Sequence, residues 1–205
     1  MQNKFEKYLT RGQELQRIKD LKGAEKQYLR ALKLEKRHPE VLHQLGILNV
    51  QMRNYPAAIK FFKRAISSEP AALPSLHNLA IIYQGLGRDD EAIAAHEKIL
   101  SIEPKSAETL GHLARLFEER NRLKKSEEYV NNGLKVNEFS PMLNLIAVRL
   151  DRRTKRYEAG LQRIAQMIDP VDRTGPLRKK FLFEYGRLLD LTGNYTGAFE
   201  AFNEA

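Results

Sequence analysis

The chain contains no cysteine and no long apolar run, and these two absences limit what it can be. Without cysteine it cannot form a disulfide, a thiol nucleophile or a thiolate metal site. No stretch approaches the roughly 18 apolar residues that a membrane-spanning helix requires. Residues 1–10 also lack the apolar core, about 7 to 15 residues long, of a secretory signal. We therefore predict a soluble, cytoplasmic protein, with a periplasmic location open only if a signal was removed.

Positive charge is concentrated in two segments rather than spread along the chain. Residues 1–38 hold 11 Lys and Arg against 5 Asp and Glu, and residues 141–178 hold 8 against 4. In the first segment the lysines lie between apolar positions and alternate with glutamates, which is typical of a solvated helix face. Aromatic residues that could stack on bases are not interleaved with them. Nucleic-acid binding through the basic segments is therefore the least favoured of our hypotheses.

A pattern of leucine, small, aromatic and proline residues recurs along the chain with a period of 34. This spacing separates Leu45 from Leu79, Ala58 from Ala92, and Pro70 from Pro104. The same offsets recur from residues 5, 107 and 179, and more weakly from Pro141. Between the halves of a copy lie turn signals, at residues 54–56, 87–89 and 193–195. A fixed period of this length indicates an array of similar structural units.

The pattern resembles the tetratricopeptide repeat, whose units form two antiparallel helices. The resemblance implies an all-α fold: a right-handed α-solenoid of antiparallel helix pairs with about six repeats. We place the repeats at residues 5–38, 39–72, 73–106, 107–140, 141–178 and 179–205, in a single array over residues 1–205. The last repeat is incomplete, so we expect more protein beyond Ala205.

Two details of the pattern have a physical reason. Small residues of the first helices should allow close packing against alanines of the second, as for Gly46 and Ala58. Proline cannot continue a helix, so Pro70 and Pro104 should follow the ends of second helices. The fifth repeat is longer, because a connection lengthens its step to 38 residues; it contains Pro170, Asp172, Gly175 and Pro176.

The resemblance also implies that such arrays bind a protein or peptide partner in a groove lined by their first helices. Transferring the groove positions of the family to this sequence selects Gln13, His43, Gln44, Ile47, His77, Asn78, Ile81, His112, Arg115, Arg149, Arg152, Arg153 and Arg187. The second half of this set is rich in arginine, which binds carboxylate or phosphate groups in a bidentate manner. We therefore expect a preference for an acidic partner. The alternative is that the arginines pair within the chain, with Glu118, Glu119, Glu184 and Asp190.

No residue pattern indicates catalysis, a cofactor or a metal. Residues 85–87 form a Gly-Leu-Gly turn without the strand and the Lys-Ser/Thr of a phosphate-binding loop. His43 and His77 share a repeat position and His112 lies one place further on. Adjacent helices lie roughly 8–10 Å apart, so convergence of three such side chains on one ion is not expected. The lysine pair of chaperone-binding clamps is also unmatched, which argues against a receptor for chaperone tails.

A second resemblance concerns the last repeat alone. Residues 177–205 resemble the repeat that precedes the catalytic domain in bacterial repeat-containing sulfotransferases, at a Gly-x-Tyr-x-x-Ala-Phe step. This resemblance implies that the chain could be the N-terminal accessory region of a larger enzyme, with the catalytic domain beyond Ala205. The chain itself is predicted not to be an enzyme. Its favoured function is that of a protein-protein interaction scaffold.

Overall fold

The computed structural model describes residues 2–168 and 175–205, and the regular structure in these ranges is helical. The described helices are α1 (Gln2–Arg17), α2 (Leu21–Leu34), α3 (Pro39–Gln51), α4 (Tyr55–Ser68), α5 (Leu73–Gly85), α6 (Asp89–Ile102), α7 (Ala107–Glu119), α8 (Leu123–Val136), α9 (Pro141–Arg153), α10 (Tyr157–Met167), α11 (Pro176–Leu191) and α12 (Tyr195–Glu204). None of these helices combines the length and apolarity needed to cross a membrane. The all-α prediction is confirmed.

The helices form adjacent antiparallel pairs, α1 with α2 through to α11 with α12. Side chains of Asp20, Asn54 and Asn194 accept the first free backbone N–H groups of three second helices. Second helices α4 and α6 end two residues before Pro70 and Pro104, as the proline positions predict. Pairing therefore follows from short turns and local capping.

The turn inside each pair contains one residue with left-handed backbone, and this residue recurs at nearly constant spacing. It is Lys19, Arg53, Gly87, Asn121, Lys155 and Gly193, with φ between 58° and 85°. The spacing is 34 residues until Lys155 and 38 thereafter. A left-handed residue just after a helix end closes its last turn. The helix pairs thus share one turn geometry even where the residue type varies.

Small residues of the first helices lie against aromatic rings of the second helices. A Cβ atom on Gly12 would lie 2.5 Å from the ring of Tyr28, and one on Gly46 would overlap the ring of Phe62. Gly186 faces Phe202 in the same way. The nearest side chain is therefore the aromatic one, four residues after the alanine that we expected to face the glycine. Close packing is confirmed, but its partner differs.

The described chain divides into two compact units, residues 1–102 and 103–205, here called unit 1 and unit 2. In unit 1 the core joins α1, α2 and α3, with Tyr28, Leu42 and Leu45 almost fully buried. In unit 2, α9 lies against α7, α8, α10 and α11. Its residues Leu143 and Leu150 are buried in a core cluster that includes residues of α7 and α8. Of the predicted connection after α10, Pro170 and Asp172 lie outside the described residues, whereas Gly175 is the N-cap residue of α11 and Pro176 its first residue.

Candidate functional site

The predicted groove residues of unit 2 lie on its three first helices, α7, α9 and α11. Helix α9 contacts both α7 and α11, so it brings the predicted arginines together. Arg149, Arg152 and Arg153 lie on its last two turns. We call the arginines of this face and the carboxylates that they contact the arginine cluster: Arg149, Arg152, Arg153, Arg187, Glu118 and Glu184.

Glu184 is the central carboxylate of the arginine cluster, and its residue is only 4% exposed. Arg152 donates from Nε to Glu184 Oε2 at 2.9 Å. Arg149 Nε lies 3.4 Å from Oε1, and Arg187 NH1 lies 3.3 Å from the same oxygen. A buried carboxylate is costly unless it is paired, and three guanidinium groups offset that cost here.

Glu118 of α7 forms the second centre of the cluster. Arg153 NH1 donates to Glu118 Oε1 at 2.6 Å and to the Glu118 backbone carbonyl at 2.9 Å. Arg149 NH1 lies 3.9 Å from Glu118 Oε2, so Arg149 contacts both buried carboxylates. Outside the cluster, Arg115 pairs with Glu119 of its own helix at 2.8 Å. Asp190 makes no ion pair with any residue that the structure describes.

The arginine cluster keeps an excess of positive charge, since four guanidinium groups share two carboxylates. Their side chains are 24–45% exposed, whereas those of Glu118 and Glu184 are 10% and 5% exposed. The surface of the cluster therefore presents cations, with the anions beneath. Arg152 contacts Glu184 through Nε and Arg187 contacts it through Nη1. The other N–H groups of these two guanidiniums make no hydrogen bond to Glu184. Such a surface can bind carboxylate groups of a partner.

A cavity of about 420 Å³ lies beside the arginine cluster. Its lining adds Lys179, Lys180, Phe183 and Phe202 to Arg149, Glu184 and Arg187. Phe183 and Phe202 meet edge to face at 5.3 Å between ring centroids, and the Arg187 guanidinium lies 4.9 Å from the centre of the Phe183 ring. These four residues are not among the groove residues predicted from the sequence. Lys180 and Phe183 occupy the second and fifth positions of their repeat, which are groove positions of the family, so the resemblance could have found them.

A separate ion-pair group on α9 has a structural role. Asp151 is 5% exposed and accepts from Arg156 Nε at 2.9 Å, while Arg163 of α10 lies 3.5 Å away. Arg156 also contacts Glu127 of α8 at 2.6 Å. These contacts join α8, α9 and α10.

In unit 1 the predicted groove residues are mostly engaged in packing. His43 Nδ1 lies 2.8 Å from Ser75 Oγ, and its ring centroid is 5.5 Å from that of Phe62. Burial lowers the pKa of His43, and the nearby Glu40 acts in the opposite direction. The Gln13 side chain reaches Glu40 at 3.3 Å, and Asn78 donates to the backbone of its own helix at 2.9 Å. Unit 1 therefore does not repeat the arginine cluster.

The other predicted groove residues do not converge on a site. Gln44, Ile47 and His77 are partly buried, and Ile81 is 60% exposed. His112 lies 3.8 Å from Glu108, one turn away on α7. Within the described ranges, no group of three His, Asp or Glu side chains is arranged to hold a metal ion. The charged surface of unit 2 is the strongest candidate site.

Residues 9–108 match a known family of repeats. Sequence models of the tetratricopeptide repeat match residues 9–75 and 75–108. No curated protein matches the sequence. Neither family match is to a catalytic family, and the sulfotransferase resemblance of residues 177–205 finds no support in these matches.

Solved structures with a similar fold span nearly the whole chain. A tetratricopeptide repeat protein from Parabacteroides merdae has a TM-score of 0.81 at 19% identity, over 98% of this chain and 78% of that one. PilF of Pseudomonas aeruginosa has a TM-score of 0.72 at 14% identity, over 98% and 89%. YrrB, a tetratricopeptide repeat protein with an unusual peptide-binding site, has a TM-score of 0.68 at 14% identity, over 86% and 89%. The sequence matches, the paired helices and these structural neighbours together show that the chain is a tetratricopeptide repeat protein.

Proposed function

We propose that the chain is a protein-interaction scaffold that binds an acidic peptide segment of a partner through the arginine cluster of unit 2. The observation that carries this proposal is the excess of four partly exposed guanidinium groups over two buried carboxylates on α7, α9 and α11. The fold typically serves as an interaction scaffold, because stacked repeats present an extended surface.

The chemistry of the cavity beside the cluster defines the partner further. Lys179 and Lys180 add two cations to its rim, and Phe183 and Phe202 add exposed apolar surface. A peptide with Asp or Glu residues near one aromatic or aliphatic side chain would satisfy both features. Among the structural neighbours, YrrB is described as having a peptide-binding site, which is compatible with this use of the fold.

The pairing of the arginines decides which variant can test the proposal. Arg149 contacts both buried carboxylates, so replacing it would weaken the pairing of Glu118 and of Glu184 at once. Arg187 is more exposed and has a single carboxylate contact. Its removal leaves Arg149 and Arg152 on Glu184. Arg187→Ala is therefore the variant of choice.

Arg88 of unit 1 provides a closely matched control. Arg187 contacts Glu184 three residues earlier and lies 4.9 Å from the Phe183 ring centre, with 45% of its side chain exposed. Arg88 contacts Glu91 three residues later and lies 4.8 Å from the Tyr83 ring centre, with 44% exposed. The two arginines thus have similar local contacts, but only Arg187 belongs to the arginine cluster.

The experiment measures binding of a fluorescein-labelled oligo-glutamate peptide of about ten residues by fluorescence anisotropy in 0.15 M salt. Loss of one charge-assisted hydrogen bond, about 1.5 kcal/mol, predicts roughly tenfold weaker binding for Arg187→Ala. Arg88→Ala should bind like the unmodified chain. Equal binding by both variants, or equal binding of an oligo-glutamine peptide, would remove the arginine cluster from the proposal.

A further inference from the structure

A second positively charged cavity lies in unit 1, far along the sequence from the arginine cluster, and shares no residue with it. Its volume is about 590 Å³, and it lies between α2 and α4. The lining consists of Lys26, Leu29, Arg30, Leu32, Lys33, Lys36 and Arg64. Five of these seven residues are cationic and none is acidic. We call this cavity the basic cavity.

The cations of the basic cavity are not balanced by carboxylates. None of the five forms an ion pair with an Asp or Glu side chain in the part of the chain that the structure describes. The predicted groove arginines of unit 2 differ, because Arg115 and the four arginines of the arginine cluster each contact at least one carboxylate. Mutual repulsion of unpaired like charges is unfavourable unless an anion is bound among them. The basic cavity therefore has the charge of an anion site.

Two of the five cations are held in place by other contacts. Arg64 donates from NH2 to the backbone carbonyl of Lys36 at 3.1 Å, and its guanidinium lies 5.8 Å from the Phe61 ring centre. Arg30 lies 5.8 Å from the ring centre of Tyr8. Lys26, Arg30 and Lys33 follow one another at intervals of four and three residues, so they lie on one face of α2. The arrangement is thus partly preformed.

The neighbouring cavity in unit 1 shows that this charge is not a general property of the grooves between second helices. The cavity between α4 and α6 has a volume of about 430 Å³ and is lined mainly by apolar residues, with Lys63, Lys98 and Glu91. At the repeat positions of Leu29 and Lys33 it has Lys63 and Ser67. The lining of the basic cavity thus has five cations and no carboxylate, whereas this neighbouring cavity has two lysines beside Glu91.

We propose that the basic cavity binds a compact ligand with two or more phosphate groups. Phosphate carries the multiple charge and the acceptor oxygens that arginine and lysine recognise. The concave shape and the apolar floor of Leu29 and Leu32 favour a small ligand body over a flat bilayer. The aromatic rings nearest the cations, Tyr8 and Phe61, are covered by guanidinium groups, which leaves no platform for stacking the bases of a nucleic acid.

The test uses inositol hexakisphosphate as the probe and isothermal titration calorimetry of the whole chain in 0.15 M salt. The cavity variant is Arg30→Gln with Lys33→Gln, which spares the Arg64 contact to the backbone. The control is Lys4→Gln with Lys7→Gln, which removes the same charge from exposed positions of α1. We expect the cavity variant to bind at least tenfold more weakly and the control to change less than twofold. Circular dichroism checks that both variants keep their helicity.

Other results would refute the site, identify a lipid as the source of the phosphates, or indicate a nucleic acid instead. Equal weakening in both variants would mean general charge attraction, and no binding by the unmodified chain would also refute the site. Vesicles bearing a phosphoinositide headgroup test whether the phosphates belong to a lipid; binding that the cavity variant loses supports the same site. A single-stranded DNA of about 20 nucleotides that binds more tightly than the probe would replace the proposal with a nucleic-acid site. Failure of the acidic peptide to bind unit 2 has no bearing on these results.

Discussion

At the scale of single residues, packing inside a helix pair depends on the side chain that faces the small residue of the first helix. That side chain lies 16 positions later in sequence. Three glycines face aromatic rings, in the pairs Gly12–Tyr28, Gly46–Phe62 and Gly186–Phe202. At the same spacing, Ala80 corresponds to His96 and Ala114 to Val130. The added methyl group thus occurs where the opposite side chain is not a six-membered aromatic ring, which suggests that the two positions share one volume.

This shared volume predicts a compensating pair of substitutions. Gly46→Ala should lower the free energy of unfolding by about 1–2 kcal/mol, because overlap with the Phe62 ring costs roughly 1–3 and helix propensity returns roughly 0.5–1. Adding Phe62→Val creates room for the methyl group. The double variant should therefore be at least about 1 kcal/mol more stable than the sum of the two changes predicts. Urea denaturation of the four proteins measures this coupling.

Gly85 supplies the control for this prediction. A Cβ atom at Gly85 would meet no atom within 4 Å. Gly85→Ala should therefore leave stability unchanged or raise it. Additive effects of the Gly46 and Phe62 substitutions would contradict the idea of a shared volume.

At the scale of elements, the turn inside each helix pair keeps its backbone conformation while its residue changes. Four of the six left-handed positions carry a residue other than glycine: Lys19, Arg53, Asn121 and Lys155. A side chain in this conformation costs roughly 1–2 kcal/mol, because its Cβ crowds the backbone. Glycine at two of the positions was visible in the sequence as a turn signal. Arg53 directly precedes the turn signal at residues 54–56, and the other three could be located only from the 34-residue period.

Lys155 is a suitable position to test this cost. Lys155→Gly should raise the free energy of unfolding by about 0.5–1 kcal/mol, since relief of strain exceeds the greater entropy of the unfolded chain. The control is Lys60→Gly in the interior of α4, where glycine should lower stability by about 1 kcal/mol. Thermal and urea denaturation provide the measurement. A decrease for Lys155→Gly similar to that for Lys60→Gly would show that the turn is not strained.

Helix α9 combines packing residues with residues of the binding surface that we propose. Its apolar residues, including Leu143 and Leu150, pack among its neighbours, while Asp151 joins it to α10 through Arg163. The arginines at its end contact carboxylates of α7 and α11. The sequence predicted which arginines lie on first helices, but left open whether they bind a partner or the chain itself. The distances show that they contact the chain, and the excess of cations leaves capacity for a partner.

At the scale of the whole molecule, the stability of each helix pair should depend mainly on the pairs next to it in sequence. Each helix makes most of its contacts with helices adjacent in sequence. Arrays of this kind behave approximately as a sum of repeat and nearest-neighbour terms, so local damage need not spread evenly. The six repeats that we propose for residues 1–205 lead to the same expectation, that a substitution in one repeat destabilises its neighbours most.

Hydrogen exchange can measure this distribution after one core substitution. Phe62 is fully buried in α4, and Phe62→Ala should cost about 3–5 kcal/mol locally. We expect amide protection to fall strongly in α3, α4 and α5, which contact the site, and to change little in α9 and α11. The matching substitution Phe202→Ala, at a position that is 40% exposed, should have a smaller effect. A uniform loss of protection over both units would show a single cooperative transition.

The sequence by itself determined the class of this protein, because a 34-residue period of small, aromatic and proline residues is compatible with few structures other than stacked helix pairs. It also indicated several helix ends, at two prolines and three turn signals, since prolines and turns act locally. Only the tertiary structure decided which side chains meet: the aromatic rings opposite Gly12, Gly46 and Gly186, the glutamates beneath the arginines of α9, and the five cations around the basic cavity. The glycines and their rings lie 16 positions apart, the α9 arginines and their glutamates lie 31 to 35 positions apart, and Arg64 lies 28 positions from Lys36. The distances between these side chains depend on how the helices pack.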